Sequence, residues 1–228
     1  QYWNVFYPVL KELERRKICS TYYTSDQKDP VFEQEWKFIN AEFIGEGNKA
    51  FMRLNFLEAK ICLMTTPGLE VYQLKRSKGV DFYVHVLHSV DDATSYRLFG
   101  IDYFDAVLLS GEYQKKAIRE LESKRSLPAK ELVVVGCSYL DFAREKISLI
   151  EKKKNDRITV LVSPSWGKSA LLSKYGKKLL DPLVKENFNI IIRPHPQSKK
   201  SEQKILEYLQ AEYCGYKNVE WDFERDNL

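Results

Sequence analysis

The run Leu132-Val133-Val134-Val135-Gly136 is the clearest of several apolar stretches in this sequence. Its aliphatic residues are consecutive, without the alternation of a half-exposed strand, so we predict a strand that is covered on both faces. Similar runs occupy residues 82–87, 106–109, 158–162 and 189–192, and helix-like stretches lie between them. This pattern is typical of parallel sheets flanked by helices, and we therefore predict an α/β fold.

The chain before that run also alternates between helix and strand. Apolar residues at helical spacing over 5–13 predict an amphipathic helix, and the β-branched and aromatic run at 18–23 predicts a strand. The further predicted elements are a turn at Gly45-Glu46-Gly47, a helix over 48–57, a strand over 59–64, and a helix from Ser110, as its cap, to Arg125.

Residues 141–156 are helix-like but charge-heavy, and they interrupt this pattern because they contain no apolar run to bury. We predict the connection between two domains there, since the chain is long enough for two small cores. The first domain is an N-terminal Rossmann-like lobe over residues 1–150, and the second is a partial C-terminal lobe over 151–228. The lysine run at 151–156 is typical of a solvated face, and contact with an anionic ligand or lipid is the alternative.

The two ends of the sequence lead to a further expectation. The chain opens with Gln1, without an initiator Met or a signal peptide, and three predicted strands follow residue 151. We expect that the first strand of the N-terminal lobe is missing and that the C-terminal lobe is incomplete.

Composition argues against several classes of protein. The net charge of +4 is too small to imply nucleic-acid binding, although it suits phosphate-rich ligands or an anionic membrane surface. The sequence has no apolar stretch of about 18 residues that could cross a bilayer. The four cysteines are far apart, so we predict neither a disulfide framework nor a zinc site, and we expect Cys19, Cys62 and Cys137 to be buried thiols.

Two histidines lie at the end of the predicted strand at 82–87. His85 falls inside the apolar run, which favours a core position, whereas His88 borders the loop that follows. Ligands of α/β sheets bind at the carboxyl ends of the strands, so His88 is the candidate catalytic residue. If the strand continued to His88, the odd spacing would place the two side chains on opposite faces, which makes them a poor metal pair.

The segment Arg193-Pro194-His195-Pro196 directly follows the apolar run at 189–192. Two prolines stiffen the backbone that carries a guanidinium and an imidazole. Arg can bind a phosphate through a forked contact, and His can donate a hydrogen bond or exchange a proton near neutral pH. We predict that Arg193 and His195 are catalytic and that Pro194 lines the same site.

The loop after the strand at 158–162 ends in Gly167-Lys168-Ser169, like the end of a phosphate-binding P-loop. That motif requires Gly where this chain has Val162, so an NTP-hydrolysing P-loop is not predicted. An anion site beside the following helix is the weaker hypothesis, and a connecting loop whose Trp simply packs is the alternative. The candidate donor-binding residues of this loop are Ser163, Ser165, Trp166, Gly167 and Lys168.

Several small or hydroxyl-bearing residues follow other predicted strands, where each either lines a ligand crevice or forms a turn. Glycine at such a position permits close approach of a ligand. These acceptor-side candidates are Gly45, Gly47, Thr66, Ser89, Ser110, Gly136 and Ser138.

In order and spacing, these motifs resemble the CDP-glycerol glycerophosphotransferase family of bacterial enzymes that build teichoic-acid polymers in the cell wall. The resemblance covers nearly the whole chain and is strongest for His88 together with the Arg193-Pro194-His195 segment. The other segments that carry it are 2–6, 22–26, 41–50, 65–68, 103–106, 135–141 and 163–166.

The resemblance implies a GT-B architecture, in which two Rossmann-like lobes face each other across a cleft. The first lobe would bind a polyol-phosphate or glycolipid acceptor, with His88 as general base, and the second would bind CDP-glycerol or a similar CDP-alditol donor near Arg193 and His195. Many relatives have Arg where this chain has Gly167, so a donor contact at that position is in doubt. Relatives also carry a donor-binding segment after the strand that corresponds to 219–221, so we expect this chain alone to be inactive or weakly active.

The expected location is the cytoplasm, with peripheral association at the inner face of the plasma membrane as a further expectation. No carboxylate cluster demands a metal, so we predict no cofactor, and phosphate-bridging Mg²⁺ is the alternative. A nucleotide-sugar glycosyltransferase or epimerase of the same fold, and a non-catalytic binding module, are the competing functions.

Overall fold

A computed structural model describes residues 2–149 and 157–223 of the protein. The chain divides into two compact units, Gln1–Leu149 and Ile150–Leu228. The predicted lysine run at 151–156 lies outside the described residues. Both units are built from parallel strands flanked by helices, so the predicted α/β fold is confirmed.

The first unit opens with helix α1 (Trp3–Arg15), which packs on a two-stranded parallel sheet of β1 (Ser20–Thr24) and β2 (Ile39–Phe43). The apolar face that the sequence predicted for α1 is buried through Val5 and Leu10. Helix α2 (Asn48–Leu54) follows the Gly45-Glu46-Gly47 turn and is shorter than predicted. Gly45 and Gly47 both have positive φ, +88° and +57°, which favours glycine at these two positions.

A four-stranded parallel sheet forms the rest of the first unit. Its strands lie in chain order: β3 (Glu58–Met64), β4 (Gly79–Val86), β5 (Ala106–Leu109) and β6 (Glu131–Val134). Helix α3 (Tyr113–Arg125) connects β5 to β6 and buries Ile118 against Val107 and Leu109. Because all four strands are parallel, the loops that follow them emerge at one edge of the sheet.

The second unit is a three-stranded parallel sheet with helices between its strands. Strand β7 (Thr159–Val162) leads to α5 (Leu171–Tyr175) and α6 (Lys177–Lys185), β8 (Asn189–Ile192) to α7 (Ser198–Ser201) and α8 (Gln203–Tyr213), and β9 (Val219–Trp221) follows. Its core contains Leu180, Ile190, Ile192 and Leu209, each at most 1% exposed. Helix α6 contains the apolar residues Leu179, Leu180 and Leu183, and Gly176, with φ +42°, separates it from α5.

Strand β6 differs from the prediction that opened the sequence analysis. Val133, Val134 and Val135 are 38–54% exposed, although their aliphatic run predicted a strand covered on both faces. The reason is that, among the described residues, β6 pairs only with β5 and therefore lies at the edge of its sheet.

The stretch 141–156 was predicted to hold the connection between domains, and the boundary between the two units does fall inside it, after Leu149, but residues 141–148 belong to the first unit. They belong to helix α4 (Ser138–Ser148), which packs against α1. The Phe142 ring lies 6.2 Å from the Tyr7 ring, and Ala143 is buried. The charge of this segment is therefore the solvated face of a helix that has a partner.

The cysteines also differ from expectation. All four are free thiols, but Cys19 and Cys214 are exposed and Cys62 and Cys137 are only partly buried. Cys19 is exposed because β1 begins one residue later, at Ser20, so the start of the predicted 18–23 strand lies outside the sheet.

Candidate functional site

The carboxyl edge of the four-stranded sheet gathers most of the first-unit residues that the sequence singled out. Thr66 lies just beyond β3, Ser89 beyond β4, Ser110 directly after β5, and Gly136 just beyond β6. The backbone N–H groups of Val135 and Gly136 both donate to the Leu109 carbonyl, which holds the β6 loop against the end of β5.

His88 lies in the loop after β4, which ends at Val86, and its side chain is half-buried. Its Nδ1 is 2.9 Å from the Thr65 hydroxyl oxygen and 3.4 Å from the Tyr96 hydroxyl oxygen. The Tyr2 ring lies 5.0 Å from the imidazole. His88 is therefore contacted by Thr65, which directly follows β3, by Tyr96 in the connection after β4, and by Tyr2, which precedes α1.

The hydrogen bonds of Thr65 indicate which nitrogen of His88 carries the proton. The Thr65 hydroxyl donates to the Val86 carbonyl at 2.9 Å, and a hydroxyl has one proton to donate. The contact between Thr65 and Nδ1 is then a hydrogen bond only if Nδ1–H donates to the threonine oxygen. In neutral His88 this leaves the lone pair on Nε2, which is the form of a general base.

Burial lowers the pKa of His88, and the nearby negative charge of Asp91 opposes this shift only in part. The folded environment therefore favours neutral imidazole, which can accept a proton at neutral pH. Burial also raises the pKa of Tyr96 to about 12, so its phenol stays protonated beside His88.

Three side chains at or near the start of α3 bind three consecutive backbone carbonyls of the loop that carries His88. Ser110 Oγ donates to the Ser89 carbonyl at 2.9 Å, the Tyr113 hydroxyl donates to the Val90 carbonyl, and Gln114 Nε2 donates to the Asp91 carbonyl at 2.6 Å. The Gln114 side chain is fully buried, and its Oε1 accepts from the Ser110 N–H at 2.8 Å. The start of α3 thus fixes the backbone immediately after His88.

The predicted helix cap at Ser110 is wrong, because α3 begins at Tyr113 and the Ser110 hydroxyl is used on Ser89. The Ser138 hydroxyl likewise donates to the Val5 carbonyl at 2.8 Å, joining the start of α4 to α1. These two serines are brought to the region that the sequence predicted, but their protons are engaged within the protein. Gly45 and Gly47 follow β2, in the separate two-stranded sheet.

His85 is fully buried in β4, between the Tyr96 ring at 5.2 Å and the Phe104 ring at 4.8 Å. Within the residues that the structure describes, neither ring nitrogen has a hydrogen-bond partner. Burial, with a smaller effect of His88, lowers the pKa of His85 to about 3, so this imidazole is neutral. His85 and His88 both contact Tyr96, because the strand and its alternation end before His88.

The carboxyl edge of the second unit carries the other candidates. The loop with Ser163, Ser165, Trp166, Gly167 and Lys168 follows β7, and Arg193, Pro194 and His195 follow β8. The Trp166 and His195 rings, both exposed, have centroids 6.2 Å apart. The predicted site residues after β7 and those after β8 are therefore in contact through Trp166 and His195.

His195 has the opposite tautomer to His88. Its Nδ1 accepts a hydrogen bond from the Gln197 backbone N–H at 3.1 Å, so the proton of the neutral ring is on Nε2. An exposed Nε2–H is a hydrogen-bond donor that suits a phosphate oxygen. The loop after β8 thus presents a hydrogen-bond donor, the Nε2–H of neutral His195. The loop after β4 presents an acceptor, the Nε2 of neutral His88.

The Arg193 side chain is bound by a carboxylate at the end of β9. Its Nε lies 2.8 Å and its Nη2 lies 2.7 Å from the same oxygen, Asp222 Oδ2. The Asp222 side chain is buried. This pair fixes the guanidinium at the sheet edge and takes up part of its donor capacity. The predicted forked contact of Arg193 with phosphate therefore has to use its remaining N–H groups.

Glu202 lies beneath the β7 loop, and sequence reasoning did not single it out. The Ser173 hydroxyl donates to its Oε1. Burial acts to raise the pKa of Glu202, but hydrogen bonds from Ser173, Ser198 and the Gly167 N–H outweigh it and lower the pKa.

Sequence reasoning did not name Thr65, Tyr96, Tyr113, Gln114 or Tyr2 as individual site residues, although Thr65 and Tyr2 lie in segments that carry the resemblance. Thr65 is next to the predicted Thr66, but it is 2% exposed while Thr66 is on the surface side of the loop. A signal for Gln114 is present in the sequence, since a Gln near the start of a helix after a Gly-containing turn can accept from the free N–H groups of that turn.

Fold and site together define a protein of two α/β units whose strand-end loops carry imidazole, hydroxyl and guanidinium groups. No family model matches this chain, and no curated protein or solved structure is significantly similar to it. In the described part of the chain, every helix is too short or too polar to cross a bilayer. Within residues 2–149 and 157–223, no three His, Cys, Asp or Glu side chains are grouped as metal ligands would be.

Proposed function

We propose that this protein transfers glycerol phosphate from CDP-glycerol to a hydroxyl of a teichoic-acid or other surface-polymer acceptor, releasing CMP. The motif resemblance supplies the substrates. The observation that carries the proposal is the state of His88, which is half-buried, neutral by its lowered pKa, and bonded through Nδ1 so that Nε2 is available as a base.

The chemistry requires one proton acceptor and groups that stabilise phosphate charge. The acceptor hydroxyl attacks the β-phosphorus of CDP-glycerol, a new P–O bond forms, and the bond from that phosphorus to the bridging oxygen of CMP breaks. His88 Nε2 takes the hydroxyl proton, and CMP leaves with the electron pair. Such a general base typically contributes about 10²–10⁴-fold to the rate.

The second unit supplies the groups that would bind the diphosphate. His195 offers Nε2–H, because its Nδ1 is bonded to the Gln197 N–H, and Arg193 offers the N–H groups that Asp222 does not use. Trp166 lies beside His195 and is exposed, so it can contact the nucleotide. Hydrogen bonds from charged or well-oriented donors are the usual means of stabilising a leaving phosphate.

The test is product analysis with the full-length natural protein. It is incubated with CDP-glycerol and a polyol-phosphate acceptor, and in parallel with UDP-sugars, and the released nucleotide is measured by mass spectrometry. We expect CMP from CDP-glycerol and no UDP. His88→Gln is expected to lower kcat by about 10²–10⁴-fold, and His195→Gln to lower it as well, whereas Lys116→Ala, on the exposed face of α3, is the control that keeps wild-type activity.

Two other results would replace the proposal. Release of UDP without CMP would identify a nucleotide-sugar glycosyltransferase or epimerase. Absence of turnover with every donor, or activity that survives both histidine substitutions, would favour a non-catalytic binding module. The proposal also assigns the protein to the inner face of the plasma membrane, where a lipid-linked acceptor would be found.

A further inference from the structure

Thr65 is the residue best placed to control His88. It is 2% exposed, and its hydroxyl joins the ends of two neighbouring strands by donating to the Val86 carbonyl at 2.9 Å. The same oxygen lies 2.9 Å from His88 Nδ1. One buried hydroxyl therefore connects β3, β4 and the imidazole.

We propose that Thr65 is a positioning residue that keeps the proton of neutral His88 on Nδ1 and so makes Nε2 the base. A base needs its lone pair on the nitrogen that faces the substrate, and an imidazole in the other tautomer cannot accept a proton there. The Thr65 hydroxyl donates its one hydrogen bond to the Val86 carbonyl, so its oxygen can only accept a hydrogen bond from the ring. The role of Nε2 rests on the proposed function, but the position of the proton does not.

The other groups that face His88 do not replace Thr65. The Tyr96 hydroxyl oxygen is 3.4 Å from Nδ1, which is long for a hydrogen bond, and Tyr2 makes a tilted ring contact with His88, with the centroids 5.0 Å apart. Asp91 acts on His88 through its charge, and His85 is a neutral ring behind Tyr96. Loss of the Thr65 hydroxyl would leave Nδ1–H without a partner of comparable geometry.

The position of the proton can be read directly by ¹⁵N NMR of the whole chain, because the sequence contains only three histidines. Substitution of His85 and His195 in turn assigns the signals. We expect a protonated Nδ1 in neutral His88 and a protonated Nε2 in neutral His195. In Thr65→Val the proton of His88 is expected to move to Nε2, and Thr65→Ser is expected to restore it to Nδ1.

Activity supplies the second measurement. Thr65→Val is expected to lower kcat about tenfold to a hundredfold, which is part of the contribution of a general base, with KM little changed. The Nδ1–H bond is stronger in the protonated ring, so its loss moves the acidic limb of the pH-rate profile to lower pH. Thr65→Ser should recover both. Thr24→Val, which removes another buried threonine hydroxyl of the same unit, is the control for lost packing and should change neither.

The two measurements separate the two proposals. An Nε2–H tautomer in wild-type His88, or a Thr65→Val variant with an unchanged tautomer, would overturn the role of Thr65 whatever the activity. A tautomer that moves as expected, together with no CMP release by the full-length natural protein, would instead overturn the proposed function and leave the proton position established.

Discussion

The two histidines proposed to act have similar sequence surroundings, since each follows the end of an apolar strand. Their hydrogen bonds differ, because a side-chain hydroxyl accepts from His88 while a backbone N–H donates to His195. One neutral imidazole is thus prepared to accept a proton and the other to donate a hydrogen bond. The difference lies in a single neighbouring atom in each case.

The buried, neutral state of His85 predicts that the free energy of unfolding depends on pH. Its folded pKa is lowered to about 3 from an ordinary value of 6.5, so below pH 6.5 the unfolded chain binds a proton that the folded chain does not. Stability is therefore lost as pH falls through this window. The loss at pH 5 relative to pH 7 should be about 2 kcal/mol from this residue alone.

His85→Leu is expected to remove that loss, which urea unfolding at the two pH values measures. Val84→Ala, on the same strand, should lower the free energy of unfolding equally at pH 7 and pH 5. A His85→Leu protein with the same pH dependence as wild type would show that His85 is not buried and neutral.

Among the elements, the connection between the β4 loop and the start of α3 is the one that organises the first unit's candidate site. Three carbonyls in a row accept from side chains at 110, 113 and 114, so this loop has a defined backbone path. Gln114 contributes most, because it is buried and both ends of its amide are used.

Gln114→Leu is expected to destabilise the protein by about 1–3 kcal/mol, since it leaves the Ser110 N–H and the Asp91 carbonyl unpaired. Chemical denaturation measures the loss, and hydrogen exchange should show faster exchange of the amides at 87–92. Lys116→Leu, exposed on the same helix, should stay within about 0.5 kcal/mol of wild type. Equal effects of the two substitutions would contradict the fastening role of Gln114.

At the level of the whole molecule, each unit has cores of its own. Ile118 is fully buried in the first unit and Leu209 is fully buried in the second. Among the described residues, each hydrophobic core cluster consists of residues from one unit. The two units should therefore respond separately to core substitutions.

Ile118→Ala and Leu209→Ala are each expected to cost about 2–5 kcal/mol in the unit that carries them. Hydrogen exchange followed peptide by peptide should show lost protection in 2–149 for the first variant and in 157–223 for the second. Loss of protection throughout the chain in either variant would mean that the units unfold as one.

The pattern of residues along the chain was enough to predict most of the strands and helices and the parallel α/β class, because burial of a repeating apolar face is a local property of the sequence. It also predicted which strand-end loops would carry imidazole and guanidinium groups. It did not predict the exposure of β6, since an aliphatic run does not show whether its strand lies at the edge of a sheet.

Only the tertiary structure showed which side chains are hydrogen-bond partners of the candidate site residues. The Thr65 contact to His88, the Gln114 bridge to Asp91 and the Asp222 contact to Arg193 each join residues more than twenty positions apart. Such contacts depend on the order and register of neighbouring strands, which the pattern of any one strand leaves open. For this reason the sequence pointed to Thr66, while the folded chain directs the hydroxyl of Thr65 to the histidine.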